Sequence, residues 1–227
     1  MFYQLIEKKR NEWLASKECT ITDLLHYIEQ RGMMRDAQLE AIKTYLFLKI
    51  ACQNQPLWQL FVNGYFNDTN INQIELTEAA RQIFNTNKAA VALFQYSRLK
   101  DKGGRQLAPE LEQFIKQNAD AIDYEAVFKK IFYDVTYTDY LFSLPMGAGK
   151  TYLMAAFIYL DLYFAQNEPD NKCFAHNFMV MAPSGLKSSI VPSLKHIKEF
   201  EPSWIIPEPT ATQLKRLIKV EILDEQK

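Results

Sequence analysis

The residues with the most chemical content lie together in Ser143-Leu144-Pro145-Met146-Gly147-Ala148-Gly149-Lys150-Thr151. Gly147 and Gly149 can adopt backbone angles that other residues resist, and they leave room for phosphate oxygens to approach the main chain. The amides of Gly147, Ala148 and Gly149, with a following helix N-terminus, would then form a concave anion site. Lys150 supplies a point charge for the β- and γ-phosphates of a nucleotide, and the Thr151 hydroxyl is placed to ligate Mg²⁺. The bland alternative is a glycine turn that happens to end in Lys-Thr.

Such a loop needs a strand before it and a helix after it. Tyr140 to Leu144 reads as a short buried strand, and the apolar run from Tyr152 to Ala165 reads as a buried helix. The strict pattern G-x-x-x-x-G-K-[ST] is not met, because Leu144 stands where the first glycine belongs.

With that departure, Leu144 to Thr151 resembles motif I of superfamily 2 helicases and translocases. It looks most like the Res-type branch, which includes the motor subunits of type I and type III restriction enzymes. Arg35-Asp36-Ala37-Gln38 is similar to the R-x-x-Q element found upstream of motif I in that superfamily. The resemblance implies that Gln38 reads the adenine edge, which a carboxamide can do because it offers a donor and an acceptor together. A solvated polar helix start is the alternative, and the spacing from Gln38 to Lys150 is far longer than in a compact helicase.

Pro183-Ser184-Gly185-Leu186-Lys187-Ser188 follows the apolar segment Cys173 to Ala182, which reads as a buried parallel strand. The segment stands where motif Ia stands in the superfamily. Ser184, Gly185 and Lys187 would there meet the phosphates of a bound DNA strand. A plain strand–helix turn is the alternative. Asp224-Glu225 is a candidate for the acidic motif II, although Lys219-Val220-Glu221 before it is too charged for a central strand. The preferred reading places motif II, the arginine-bearing motif VI and the second RecA-like lobe beyond the 227 residues.

The resemblance implies an N-terminal part of an ATP hydrolase that uses ATP and Mg²⁺ to move on double-stranded DNA. Methyltransferase, specificity or other restriction and defence subunits would be its partners. On this reading the chain alone holds nucleotide without turning it over. A nucleotide-dependent switch or scaffold that does not translocate is the second reading, and a small-molecule kinase the third.

The whole composition is compatible with these readings. Hydrophobic residues make up 48% and aromatic residues 13%, enough for a substantial core. The net charge of −1 gives no general affinity for nucleic acid, so any grip on phosphates must be local. Cys19, Cys52 and Cys173 lie far apart, and His26, His176 and His196 show no ligand spacing. Reduced thiols are preferred to a zinc site. Met1 to Arg10 lacks the apolar core of a signal peptide, and Tyr152–Ala165 is too short to span a membrane. A cytoplasmic protein without membrane partners is expected.

Apolar periodicity predicts helices over 2–17, 22–30 (ended near Gly32), 36–52 and 56–61, then over 77–84, 88–99, 109–117 and 124–133. The loop 102–105 interrupts them, and a last helix is predicted over 210–220 after the proline-rich stretch 201–209. The fold class expected is therefore α/β. Residues 1–137 form a mostly helical region with a helical insertion, and residues 138–227 form the first part of a RecA-like P-loop domain with a parallel sheet. The insertion's aromatics, Trp58, Phe61, Tyr65, Phe66, Phe94 and Tyr96, are read as core.

Overall fold

The structure is a computed structural model that describes residues 2–101, 103–181 and 195–221. The chain folds into two compact units, one of Met1–Glu12 and Asn54–Leu141, the other of Trp13–Gln53 and Phe142–Lys227. Residues 13–53, which include the R-x-x-Q element, therefore belong with the glycine loop.

The first unit is built from helices whose starts are written in side chains. Helix α1 is Phe2–Leu14, α2 is Thr22–Arg31 and α3 is Asp36–Ile50. Of these, the early residues of α1 join the first unit, together with α4 (Leu57–Val62), α5 (Glu78–Thr86), α6 (Lys88–Ser97), α7 (Pro109–Gln117) and α8 (Tyr124–Ile131). Thr77, Asn87 and Asp123 each precede a helix and accept an amide of its first turn, at 3.2, 3.1 and 3.0 Å. Pro109 begins α7, where its missing N–H has no cost. The buried faces meet in a phenylalanine cluster. Phe61 lies 4.7 Å from Phe2, 4.6 Å from Phe66 and 5.7 Å from Phe128 between ring centroids. Phe61, Phe66 and Phe94 are buried as expected, while Tyr65 is exposed.

In the second unit, α2 ends at Gly32, whose φ of 62° gives the left-handed cap. Its Thr22 does not cap it, because the Thr22 hydroxyl donates back to the Cys19 carbonyl. Helix α9 (Lys150–Asn167) is apolar on nearly all sides and buries Leu153, Ala156, Tyr159, Leu160 and Phe164. A helix apolar all round belongs in a core. Helix α10 (Thr210–Leu217) follows a 3₁₀ turn at Pro202–Trp204. Trp204 packs edge-on against Phe200, and Phe200 stacks on Tyr159 of α9.

The expected parallel sheet is not there. Among the described residues the fold is all-α, with no strand, and the sole pairing is an isolated antiparallel bridge between Lys100 and Gln106. Residues 140–144 and 178–181 have no regular structure. A strand is made by a neighbour's ladder of hydrogen bonds as much as by its own residues. Leu141 is 94% exposed, and Phe178 to Met181 alternate between half-buried and more than four-fifths exposed. Apolar composition made both segments read as buried strands, yet each has at most one partly covered row of side chains. Among the described residues of 138–227 the parallel sheet expected of an α/β domain is not formed, and the fold there is all-α.

Candidate functional site

The glycine loop forms a tight turn. The Ala148 amide donates to the Pro145 carbonyl at 3.3 Å, and Gly147 and Gly149 have φ values of 78° and 75°. That left-handed region costs an L-residue about 1–2 kcal/mol, so glycine is favoured at both positions. Gly149 is also the N-cap of α9, and its carbonyl accepts the first helical bond from Leu153 at 3.1 Å. The first-turn amides of Lys150, Thr151 and Tyr152 have no intrahelical acceptor and face the turn.

A Cβ placed on Gly147 would meet nothing within 4 Å, so that side of the turn is open. Met146 beside it is 97% exposed. The Lys150 ammonium is exposed and makes one weak contact, 3.4 Å from the Pro145 carbonyl, which leaves it able to swing onto a ligand. Thr151 is half-buried in the first turn of α9.

The R-x-x-Q element reaches this turn. Gln38 Nε2 donates to the Gly149 carbonyl at 2.9 Å, and Arg35 Nη1 donates to the Gly147 carbonyl. Gln38 is held for the task. Its Oε1 accepts the Arg35 amide at 2.9 Å, and its own amide donates to the Arg35 carbonyl at 2.9 Å. This reciprocal pair resembles a capping box at the start of α3, with a backbone carbonyl in place of the usual hydroxyl. Gln38 is 4% exposed, and its carboxamide is engaged at both ends. A Cβ on Gly149 would lie 2.6 Å from Gln38 Nε2, so a larger residue there would push the Gln38 carboxamide off its bond to the loop.

Two helix N-termini, those of α3 and α9, thus start at one turn, with a guanidinium and an ammonium beside it. Each helix end carries a partial positive charge, which favours an anion there. Asp36 in the first turn of α3 is exposed and offsets part of that potential. A phosphate chain placed there could take the first-turn amides and Lys150 as donors, and the Thr151 hydroxyl could ligate Mg²⁺. Magnesium would neutralise phosphate charge there.

No family model, curated protein or solved structure matches the chain. The likeness to superfamily 2 motors therefore rests on the motifs. Of the residues singled out in sequence, the structure brings together Arg35, Gln38, Gly147, Ala148, Gly149, Lys150 and Thr151. Ser184, Gly185 and Lys187 lie outside the described residues, as do Asp224 and Glu225. Among the described residues no group of three or more His, Cys, Asp or Glu could hold a metal ion, and no helix is long and apolar enough to cross a membrane.

Sequence reasoning missed one set of polar residues further along the same two helices, Tyr45 and Lys49 of α3 with Asp161 of α9. The signal was present, since Asp161 is the single charge in the apolar run 152–165.

Proposed function

We propose that residues 147–151, set by Arg35 and Gln38, bind the phosphates of ATP with Mg²⁺. We further propose that this is the nucleotide site of an ATP-dependent DNA translocase of the restriction type. The observation that carries the reading is the pair of hydrogen bonds from Arg35 and Gln38 to the carbonyls of Gly147 and Gly149. The two motifs that a superfamily 2 motor needs together are adjacent in space although far apart in sequence. Left-handed glycines, first-turn amides and an exposed lysine supply the donors a triphosphate requires.

In this reading Lys150 holds the β- and γ-phosphates, and Thr151 helps hold Mg²⁺. Hydrolysis would drive movement on double-stranded DNA, with Ser184, Gly185 and Lys187 touching the strand. Restriction or defence subunits would be the partners, in the cytoplasm. The loop and its supports bind phosphate in this reading without help from a parallel sheet.

The test is titration of a fluorescent ATP analogue into the wild type and Lys150→Ala. Loss of a charge-assisted contact worth about 1.5–3 kcal/mol should weaken binding roughly 10- to 150-fold. Equal affinity would sink the proposal. On this reading the chain alone releases no phosphate, with or without duplex DNA, and sustained release that disappears in Lys150→Ala would overturn that part of it.

A further inference from the structure

The helices that bring the two motifs together are joined a second time, deep in the second unit. Asp161 of α9 is 1% exposed. Its Oδ1 accepts the Tyr45 hydroxyl at 2.6 Å. Its Oδ2 accepts the Lys49 ammonium at 3.1 Å and the Ala175 amide at 3.0 Å. Lys49 also donates to the Cys173 carbonyl at 2.6 Å, and Tyr45 stacks on Phe157 at 4.1 Å.

The two junctions together fix the direction of the helices. From Gln38 to Lys49 is roughly 16 Å along α3, and from Gly149 to Asp161 roughly 18 Å along α9, at the rise of an α-helix. Contacts at matching distances from both starts mean that the helices run parallel, with their N-termini together at the glycine turn. A slip of one helix along the other would separate Gln38 from Gly149.

A buried ion pair is a poor source of stability, because desolvating two charges offsets most of their attraction. Its geometry is nonetheless demanding, since a displaced partner leaves a charge buried and unpaired. We propose that Asp161, with Tyr45 and Lys49, is a positioning group that fixes the register of α3 on α9 and thereby holds Gln38 against the phosphate loop. The inference rests on the nucleotide-binding reading above. Asp161 touches no substrate; it acts through Gln38.

The experiment uses the full chain and a fluorescent ATP analogue, well below the melting temperature of every variant. Asp161→Asn keeps the shape but gives up the charge, and should weaken ATP binding about tenfold while the circular dichroism stays helical. Tyr45→Phe removes one hydroxyl and should weaken binding about threefold, which keeps the test alive if Asp161→Asn does not fold. Gln38→Ala combined with Asp161→Asn should bind no more weakly than the weaker single variant, because both act on one contact.

A lowered melting temperature with unchanged ATP affinity in Asp161→Asn and Tyr45→Phe would overturn the proposal and leave a purely structural ion pair. Additive losses in the double variant would overturn it as well. Lys150→Ala separates the two failures. If it loses binding while the Asp161 and Tyr45 variants keep it, only the positioning role falls. If it binds as the wild type does, the nucleotide reading falls, and the positioning role with it.

Discussion

Gln38 Nε2 donates to the carbonyl of Gly149 at 2.9 Å across 111 positions of sequence. This bond joins the start of one helix to the start of another. The carbonyl that Gln38 takes is the one that also begins the ladder of α9. Movement of Gln38 therefore bears on the loop and on the helix that carries Lys150.

The two loop glycines should respond differently to the same substitution. Each has a positive φ, so an alanine at either should cost about 1–2 kcal/mol. A Cβ at 147 enters open space, whereas one at 149 lies 2.6 Å from Gln38 Nε2 and displaces it. Gly149→Ala should thus lose far more nucleotide affinity than Gly147→Ala at a similar loss of melting temperature. Thermal melts and ATP-analogue titrations of both variants measure this. Equal affinities would show that the Gln38 contact does not matter to the loop.

Tyr159 provides a stability test away from the ligand. Its ring is fully buried and stacks on Phe200 at 5.6 Å, yet its hydroxyl has no hydrogen-bond partner among the described residues. A buried unpaired hydroxyl costs about 1–3 kcal/mol. Tyr159→Phe keeps the ring and removes the hydroxyl, so the protein should gain up to about 1 kcal/mol. Denaturant unfolding of the two forms reads this directly, and a loss above about 1 kcal/mol would mean that the hydroxyl is solvated or bonded.

The first unit should be acid-sensitive through Glu112. Burial alone would push its carboxyl up. Hydrogen bonds from Lys116 at 2.8 Å and Gln106 at 2.6 Å, with Arg98 at 4.0 Å, outweigh that and hold it below the usual glutamate value. The unfolded chain then takes up the proton first as pH falls. The stabilisation is complete above the unfolded value of about 4.3 and is lost as pH drops through the depressed folded value. Melting curves from pH 7 to pH 3 should show Glu112→Gln less stable by about 1 kcal/mol at pH 7, the scale of a partly exposed pair. The gap should narrow as pH falls toward 3.

Sequence pattern located the helices well because their signals are local. Pro109 marks the start of α7, and Gly32 marks the end of α2 with the left-handed angle that glycine allows. The sheet was misread because burial and pairing are not local. Phe178 to Met181 is apolar enough for a core strand, but its exposure depends on neighbours the run itself does not specify. Residue types also singled out the glycine loop and the R-x-x-Q element, which the structure brings together. The hydrogen bonds between them were invisible, as was the buried role of Asp161.

Gln38 commits one donor and one acceptor of its carboxamide to holding the loop, in a side chain that is 4% exposed. Adenine reading asks the carboxamide to offer a free donor and a free acceptor to the N6 and N7 edge. In the structure the donor is on the Gly149 carbonyl and the acceptor is on the Arg35 amide, both at 2.9 Å. Leaving those partners would strand a buried carbonyl or amide, a cost of about 1–3 kcal/mol that matches the gain from a new pair. Gln38→Ala should therefore weaken ATP and GTP by the same factor, about tenfold, and leave their ratio unchanged. Arg35→Ala, which frees the Gly147 carbonyl from an exposed side chain, should act in the same sense and more weakly. Competition of ATP and GTP against a fluorescent analogue gives all the ratios in one series. A selective loss of ATP in Gln38→Ala would show that the carboxamide turns to the base when nucleotide binds. The bond to Gly149 would then be the resting arrangement of a residue that reads adenine.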